Sequence, residues 1–310
     1  MVARVLAARG LTQPEQLKLA LRDLLSPSTM LGIDQACACV VQAIRQQQRI
    51  VIAGDYDCDG ATGVAVAVLG LRKLGAASVD YVVPNRLTMG YGLSPALAEL
   101  AAARGAQLLI TVDNGIASHA GVDAARALGL QVVVTDHHLP GVGLPAAHAL
   151  INPNQPGCSF ASKHLAGVGV MFYLLLAVRA ALRSDGTYTE REEPNLAELL
   201  DLVALGTVAD LVRLDRNNRI LVAAGLARIR AGRARPGLRA LLKVASRREA
   251  ELDASDLGFV LGPRINAAGR IDDIGIGIRC LLSEDEDEAA ALAHELDHIN
   301  RLRRQMQDEM

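Results

Sequence analysis

Between residues 34 and 155, short apolar runs without polar alternation recur, and most are followed by a stretch with helical spacing. Residues 49–54, 79–83, 108–112, 132–135 and 149–151 read as strands. Residues 62–74, 95–104 and 117–128 read as helices between them. A strand that is apolar at every position has both faces covered, and repeated strand–helix order predicts an α/β, doubly wound, mainly parallel sheet. With 51% apolar residues, only 3% aromatics and no tryptophan, the core must be built from Ala, Val, Leu and Ile. Open sheets of this kind bind ligands beyond the carboxyl ends of their strands.

Three of those ends are acidic. The first run leads into Asp55, Asp57 and Asp59 before Gly60, the third into Asp113, and the fourth into Asp136, His137 and His138. Like charges this dense either take up protons or are held by a cation. The first cluster matches the opening of an EF-hand loop. The twelfth position from Asp55, however, is Val66 where that loop needs a bidentate Glu, and a strand rather than a helix precedes it. A strand-to-helix turn with a capping aspartate explains one of the three carboxylates, not all. Asp210, after a further apolar helix, adds another. Carboxylates with imidazole and no thiolate cluster favour manganese or magnesium over structural zinc. Cys58, between Asp57 and Asp59, is expected to turn its thiol away from the ions by strand alternation.

Beyond residue 165 the pattern is mostly helical, over 166–182, 196–205, 219–229 and 237–242. The last thirty residues read as one long helix, with Ser283 as cap and Leu292, Leu296, Ile299, Leu302 and Met306 on one face. Its pattern runs to residue 310 without a terminating signal, as expected of a fragment lacking a further domain. Residues 216–248 hold ten basic side chains and no acidic one, which suits either a solvated face or a phosphate-facing surface. Five cysteines without a CxxC pair read as reduced thiols. No secretory leader or stretch approaching a membrane span is evident, so a cytoplasmic location is expected.

The motifs GDYDCDGATG (54–63), VPNR (83–86), GYGLSP (90–95), TVDNGI (111–116), VTDHHLP (134–140), LAGVGV (165–170), LDLVALGTVAD (200–210) and LGPRINAAGR (261–270) together resemble the RecJ-type exonucleases of the DHH phosphoesterase superfamily. The resemblance runs through almost the whole chain. It implies an N-terminal helical segment over 1–33 and a DHH catalytic domain over 34–280, with an α/β core to about 160 and a helical part beyond it. A linker helix over 281–310 would lead to a second core domain and an oligonucleotide-binding domain, both absent here.

The activity implied is 5′→3′ hydrolysis of single-stranded DNA to mononucleotides in repair and recombination, by two-metal activation of water with Mn2+ or Mg2+. In that reading Asp57 binds one ion and Asp59 the other, Asp113 bridges, and His137 and Asp210 complete the second site. Asp55 is a direct or indirect ligand, and His138 contacts the scissile phosphate. Some members carry a metal-binding histidine where this chain has Ala53, so the first site is expected to be weaker or to depend on Asp55. Arg86 and Tyr91 would hold the 5′ end, and Arg264, Asn266 and Arg270 the backbone phosphates. The implied partners are a single-strand-binding protein and a helicase, with the chain itself a monomer. Two other readings stay open: a DHH phosphoesterase acting on short oligonucleotides or nucleotides, and a silent nucleic-acid-binding module. Pyrophosphatase activity is disfavoured by Ala53.

Overall fold

The computed structural model describes residues 13–85, 89–189 and 192–309, together with residues 4, 7 and 8. Among these, five parallel strands form one sheet: β1 (Arg49–Ala53), β2 (Ser78–Val82), β3 (Leu108–Val112), β4 (Gln131–Thr135) and β5 (Ala149–Ile151), in the order β2-β1-β3-β4-β5. Each lies within a residue or two of its expected place. The absence of alternation has its expected cause. Ile50, Ile52, Leu108 and Ile110 enter the core on one face of the sheet, while Val51, Ala53, Leu109 and Val132 enter a separate core on the other.

Helices α1 (Ile33–Arg45) and α2 (Cys58–Leu74) cover the first face, and α3 (Pro95–Ala103) and α4 (His119–Ala127) the second. The strand order reverses between β1 and β3, where the helices diverge to opposite faces and leave a crevice at the carboxyl ends. The register places Ala53 beside Thr111, and Val112 beside Thr135. The chain segments leaving β1, β3 and β4 therefore start as neighbours.

The rest is helical: α5 (Gly167–Ser184), α6 (Leu200–Ala209), α7 (Arg216–Arg230), α8 (Pro236–Val244), α9 (Gly262–Ile271), α10 (Gly275–Leu282) and α11 (Glu286–Asp308). Helix α5 is long and apolar enough to cross a membrane, contrary to the expectation that no stretch approaches that length. It is nevertheless 61% buried and runs through the main core.

Three local expectations change. The first long helix starts at Cys58, because the Asp57 side chain accepts the Gly60 N–H and caps it. The terminal helix starts at Glu286, capped by Asp285. Ser283 closes α10 instead, its hydroxyl accepting the Asp285 N–H. On the apolar face of α11, Leu296 and Ile299 are buried, but Leu302 and Met306 are exposed. Ahead of α1, the described residues include three short 3₁₀ helices, at Pro14–Leu17, Leu21–Asp23 and Pro27–Thr29.

Candidate metal centre

The crevice gathers residues from four separate parts of the chain. Asp55 follows β1, and Asp59 lies in the first turn of α2. The Asp59 carboxylate accepts the Gly167 N–H (2.6 Å) and the Val168 N–H (2.9 Å), so the positive end of α5 fixes both its oxygens. Asp113 follows β3 with φ of 65°, in the left-handed region where few non-glycine residues sit, and such outliers cluster at functional sites. Gly167 permits this approach, since a Cβ there would lie 2.5 Å from Asp113 Cβ. His137 follows β4, and Asp210 closes α6.

His137 Nε2 stands 3.0 Å from Asp113 Oδ1, 3.5 Å from Asp210 Oδ2 and 3.8 Å from Asp59 Oδ2. Two sets of ligand atoms have all members within 4.8 Å of one another: Asp55, Asp57 and Asp113, and Asp59, His137 and Asp210. Asp113 also groups with His137 and His138, so it adjoins both sets. Asp55 Oδ1, Asp113 Oδ1, His137 Nε2 and Asp210 Oδ2 are buried without a hydrogen-bond partner. The 3.0 Å approach of Asp113 to His137 lacks hydrogen-bond geometry. Each such orphan costs about 1–3 kcal/mol. Four of them converging, all hard oxygen or imidazole donors, fit Mn2+ or Mg2+.

Electrostatics lead to the same conclusion. Burial, and next the Asp57 charge, push Asp55 and Asp59 up to about 7. Burial and then Asp59 raise Asp210 to about 8, and they raise Asp113 well above the carboxylate range. Burial, helped by His138, lowers His137 to about 4, leaving it neutral and able to ligate. Unfolded aspartates titrate near ~3.9, so without metal the folded chain holds more protons than the unfolded one between about pH 4 and pH 8. Metal-free stability is therefore expected to fall as pH rises through that window. Metal uptake displaces those protons, so the rise in Tm on adding Mn2+ should grow from about pH 6 to about pH 8.5. Calorimetric scans with and without the ion check this, and a shift that shrinks with rising pH would contradict it.

His138 is held differently. Its Nδ1 lies 2.8 Å from Asp136 Oδ1, and this bond raises it to about 9. Burial alone would raise Asp136, but the hydrogen bonds from His138 and from the Ile116 and His138 N–H groups bring it below the usual range. Asn152 and Asn154 donate to the carbonyls of His138 (2.9 Å) and His137 (2.6 Å). Sequence reasoning assigned no role to Asp136, Asn152 or Asn154. The acid preceding two histidines was the available signal for Asp136. Cys58 is buried at the start of α2 and joins no ligand group among the described residues. It lies in a helix rather than a strand and packs in the main core.

Of the expected DNA contacts, Arg86 lies outside the described residues. Tyr91 is half exposed, donates from its hydroxyl to the Asp113 carbonyl (3.2 Å), and meets the Tyr56 and His138 rings edge-on. The structure gives two others buttressing contacts. Arg264 pairs with Asp297 (2.9 Å) and donates to the Val260 carbonyl (2.6 Å), and Asn266 accepts the Cys58 N–H (2.7 Å). Gly269 lies so near the Tyr56 carbonyl that a Cβ would come within 1.8 Å of it. This motif therefore braces the aspartate loop. Arg270 is exposed. In the 216–248 stretch, Arg216, Arg235, Arg239, Arg247 and Arg248 form ion pairs with acidic residues elsewhere, which favours the reading as a structural surface.

The fold agrees with that of known proteins similar to this chain. The DHH family N-terminal domain matches residues 49–207. The single-stranded-DNA-specific exonuclease RecJ of Dickeya dadantii is 58% identical over 309 residues, covering 99% of this chain and 54% of that protein. A crystal structure of exonuclease RecJ bound to manganese superposes with a TM-score of 0.81 at 37% identity, over 92% of this chain and 70% of that one. RecJ of Thermus thermophilus in complex with Mg2+ gives 0.71 at 32%, over 98% and 39%. The chain belongs to the DHH family, and within it to the RecJ exonucleases. It spans about half the length of the curated relatives it matches.

Proposed function

We propose that this chain is the catalytic part of an exonuclease that hydrolyses single-stranded DNA from the 5′ end to mononucleotides. The observation that carries this reading is the convergence of unpartnered buried atoms of Asp55, Asp113, His137 and Asp210 at the switch point of the sheet. Asp55 and Asp57 would hold one divalent cation, Asp59, His137 and Asp210 the other, with Asp113 shared between them. Two bound cations supply a nucleophile from water at neutral pH and neutralise charge on the phosphoryl oxygens. Ala53 carries no ligand atom, so the first set relies on Asp55 to complete three oxygens. His138, oriented and charged by Asp136, donates to a non-bridging oxygen of the scissile phosphate as negative charge develops there. Tyr91 supports the terminal nucleotide, with Arg86 beside it in sequence. Arg270 meets the backbone further along.

Residues 34–280 would form the catalytic unit, and α11 would lead toward a further strand-holding domain. The 5′ polarity, action in repair beside a single-strand-binding protein and a helicase, a monomeric state and a cytoplasmic location are supported by the family relationship. Ion pairing of five of the ten basic residues over 216–248 favours a second reading, action on short oligonucleotides, because it halves the cations offered there to a long strand. Digestion of an oligonucleotide labelled separately at each end, with Mn2+, tests both. Early release of the 5′ label as a mononucleotide supports the proposal. Release of the 3′ label first contradicts its polarity, and preference for dinucleotides over long strands favours the second reading.

A further inference from the structure

Leu211 follows the metal-centre residue Asp210 with φ of 60°, and its side chain is 71% exposed. A bulky residue in that conformation is an outlier that the surrounding structure must impose. The chain from Leu257 to Leu261 widens there into a π-helix, a form frequent at functional sites. Leu257 and Leu261 are buried, while Phe259 between them is turned out to 69% exposure. The two features adjoin the same end of α6. The Leu211 N–H donates to the Val208 carbonyl (3.2 Å), and a Cβ on Gly258 would lie 3.4 Å from that oxygen. Two residues on, the Arg213 side chain is exposed and makes no ion pair or side-chain hydrogen bond among the described residues. An exposed ring and an exposed aliphatic side chain near the end of α6 that carries Asp210, with an unpaired guanidinium three residues past it, are what a single nucleic-acid strand needs, base on ring and phosphate on cation. Tyr91 stands at the Asp113–His138 side, whereas Leu211 leaves from the Asp59–His137–Asp210 set.

We propose that Phe259, with Leu211, forms a stacking ledge for the nucleobase on the strand side of the scissile phosphate, and that Arg213 takes the phosphate beyond it. This rests on the nuclease reading. The ledge separates substrates by length: a hexanucleotide reaches it, and a small aryl phosphodiester does not.

The chain has no tryptophan, so Phe259→Trp introduces a single reporter. Titration with hydrolysis-resistant phosphorothioate hexathymidylate in Mg2+ should quench its emission. Phe259→Ala should raise KM for a hexanucleotide by about five- to 150-fold, the range of base–aromatic stacking. Hydrolysis of bis(p-nitrophenyl) phosphate should be unchanged. Phe259→Tyr should restore the oligonucleotide KM and Phe259→Leu should not. Unchanged emission, or an unchanged KM in Phe259→Ala, overturns the ledge. Full rescue by leucine also overturns it and assigns the face to an apolar protein contact. If the wild-type chain cleaves no oligonucleotide, the nuclease reading falls and emission alone decides: quenching by the strand sustains the ledge, and an unchanged spectrum removes it.

Discussion

Replacing Asp113 by asparagine is expected to lower Mn2+-dependent phosphodiester hydrolysis by about a thousandfold or more, the scale of several kcal/mol of lost charge stabilisation. The same change should leave the Tm of the metal-free protein unchanged or higher. Asp113 is buried among Asp59, Asp57, Asp210 and Asp55, all of which disfavour its charge, so an isosteric neutral group relieves repulsion. Opposite movements of activity and stability would mark the carboxylate as kept for ligation. A parallel loss of Tm would mean instead that Asp113 holds the crevice together. Hydrolysis rates and calorimetry on the same preparation separate the two.

The second large effect is expected at a residue with no functional group. In Gly167→Ala, the new Cβ would meet Asp113 Cβ at 2.5 Å, Oδ1 at 2.6 Å and Cα at 2.7 Å, and the Cβ and Cα are fixed to the backbone and cannot swing aside. Helix α5 must then retreat, and its Gly167 and Val168 N–H groups move away from Asp59. Overpacking of this kind costs about 1–3 kcal/mol, and Mn2+ affinity should fall with it by about tenfold or more, since it disturbs a partner that orients the candidate ligand Asp59. Gly141→Ala provides the control, because nothing lies within 4 Å of that position. Equal Tm and equal Mn2+ affinity in the two variants would refute the argument.

The contrast between Asp113 and Gly167 shows what could be read without coordinates. The strands were legible because both their faces are buried, so every position is apolar. The carboxylates were legible because crowded charge has few explanations. Gly167 was not, since its role exists only once α5 meets the β3 loop. Arg264 and Asn266 read as phosphate contacts because their polar groups are visible in the sequence. Their partners, Asp297 and the Cys58 N–H, lie far along the chain. The start of α2 was misplaced for a local reason: Asp57 acts both as a helix cap and as a member of the charged cluster, and the second role masks the first.

The centre draws Asp55 to Asp59 from the β1–α2 turn, Asp113 from β3, His137 from β4 and Asp210 from the end of α6, which packs on α2 rather than on the sheet. No contiguous peptide carries it. Cleavage of the chain anywhere between residues 60 and 209, with separation of the halves, would divide the candidate ligands. Cation uptake is accordingly a property of the finished tertiary structure. Stoichiometric bound manganese in a preparation would serve as a census of completely assembled molecules, including among variants too slow to be assayed by turnover.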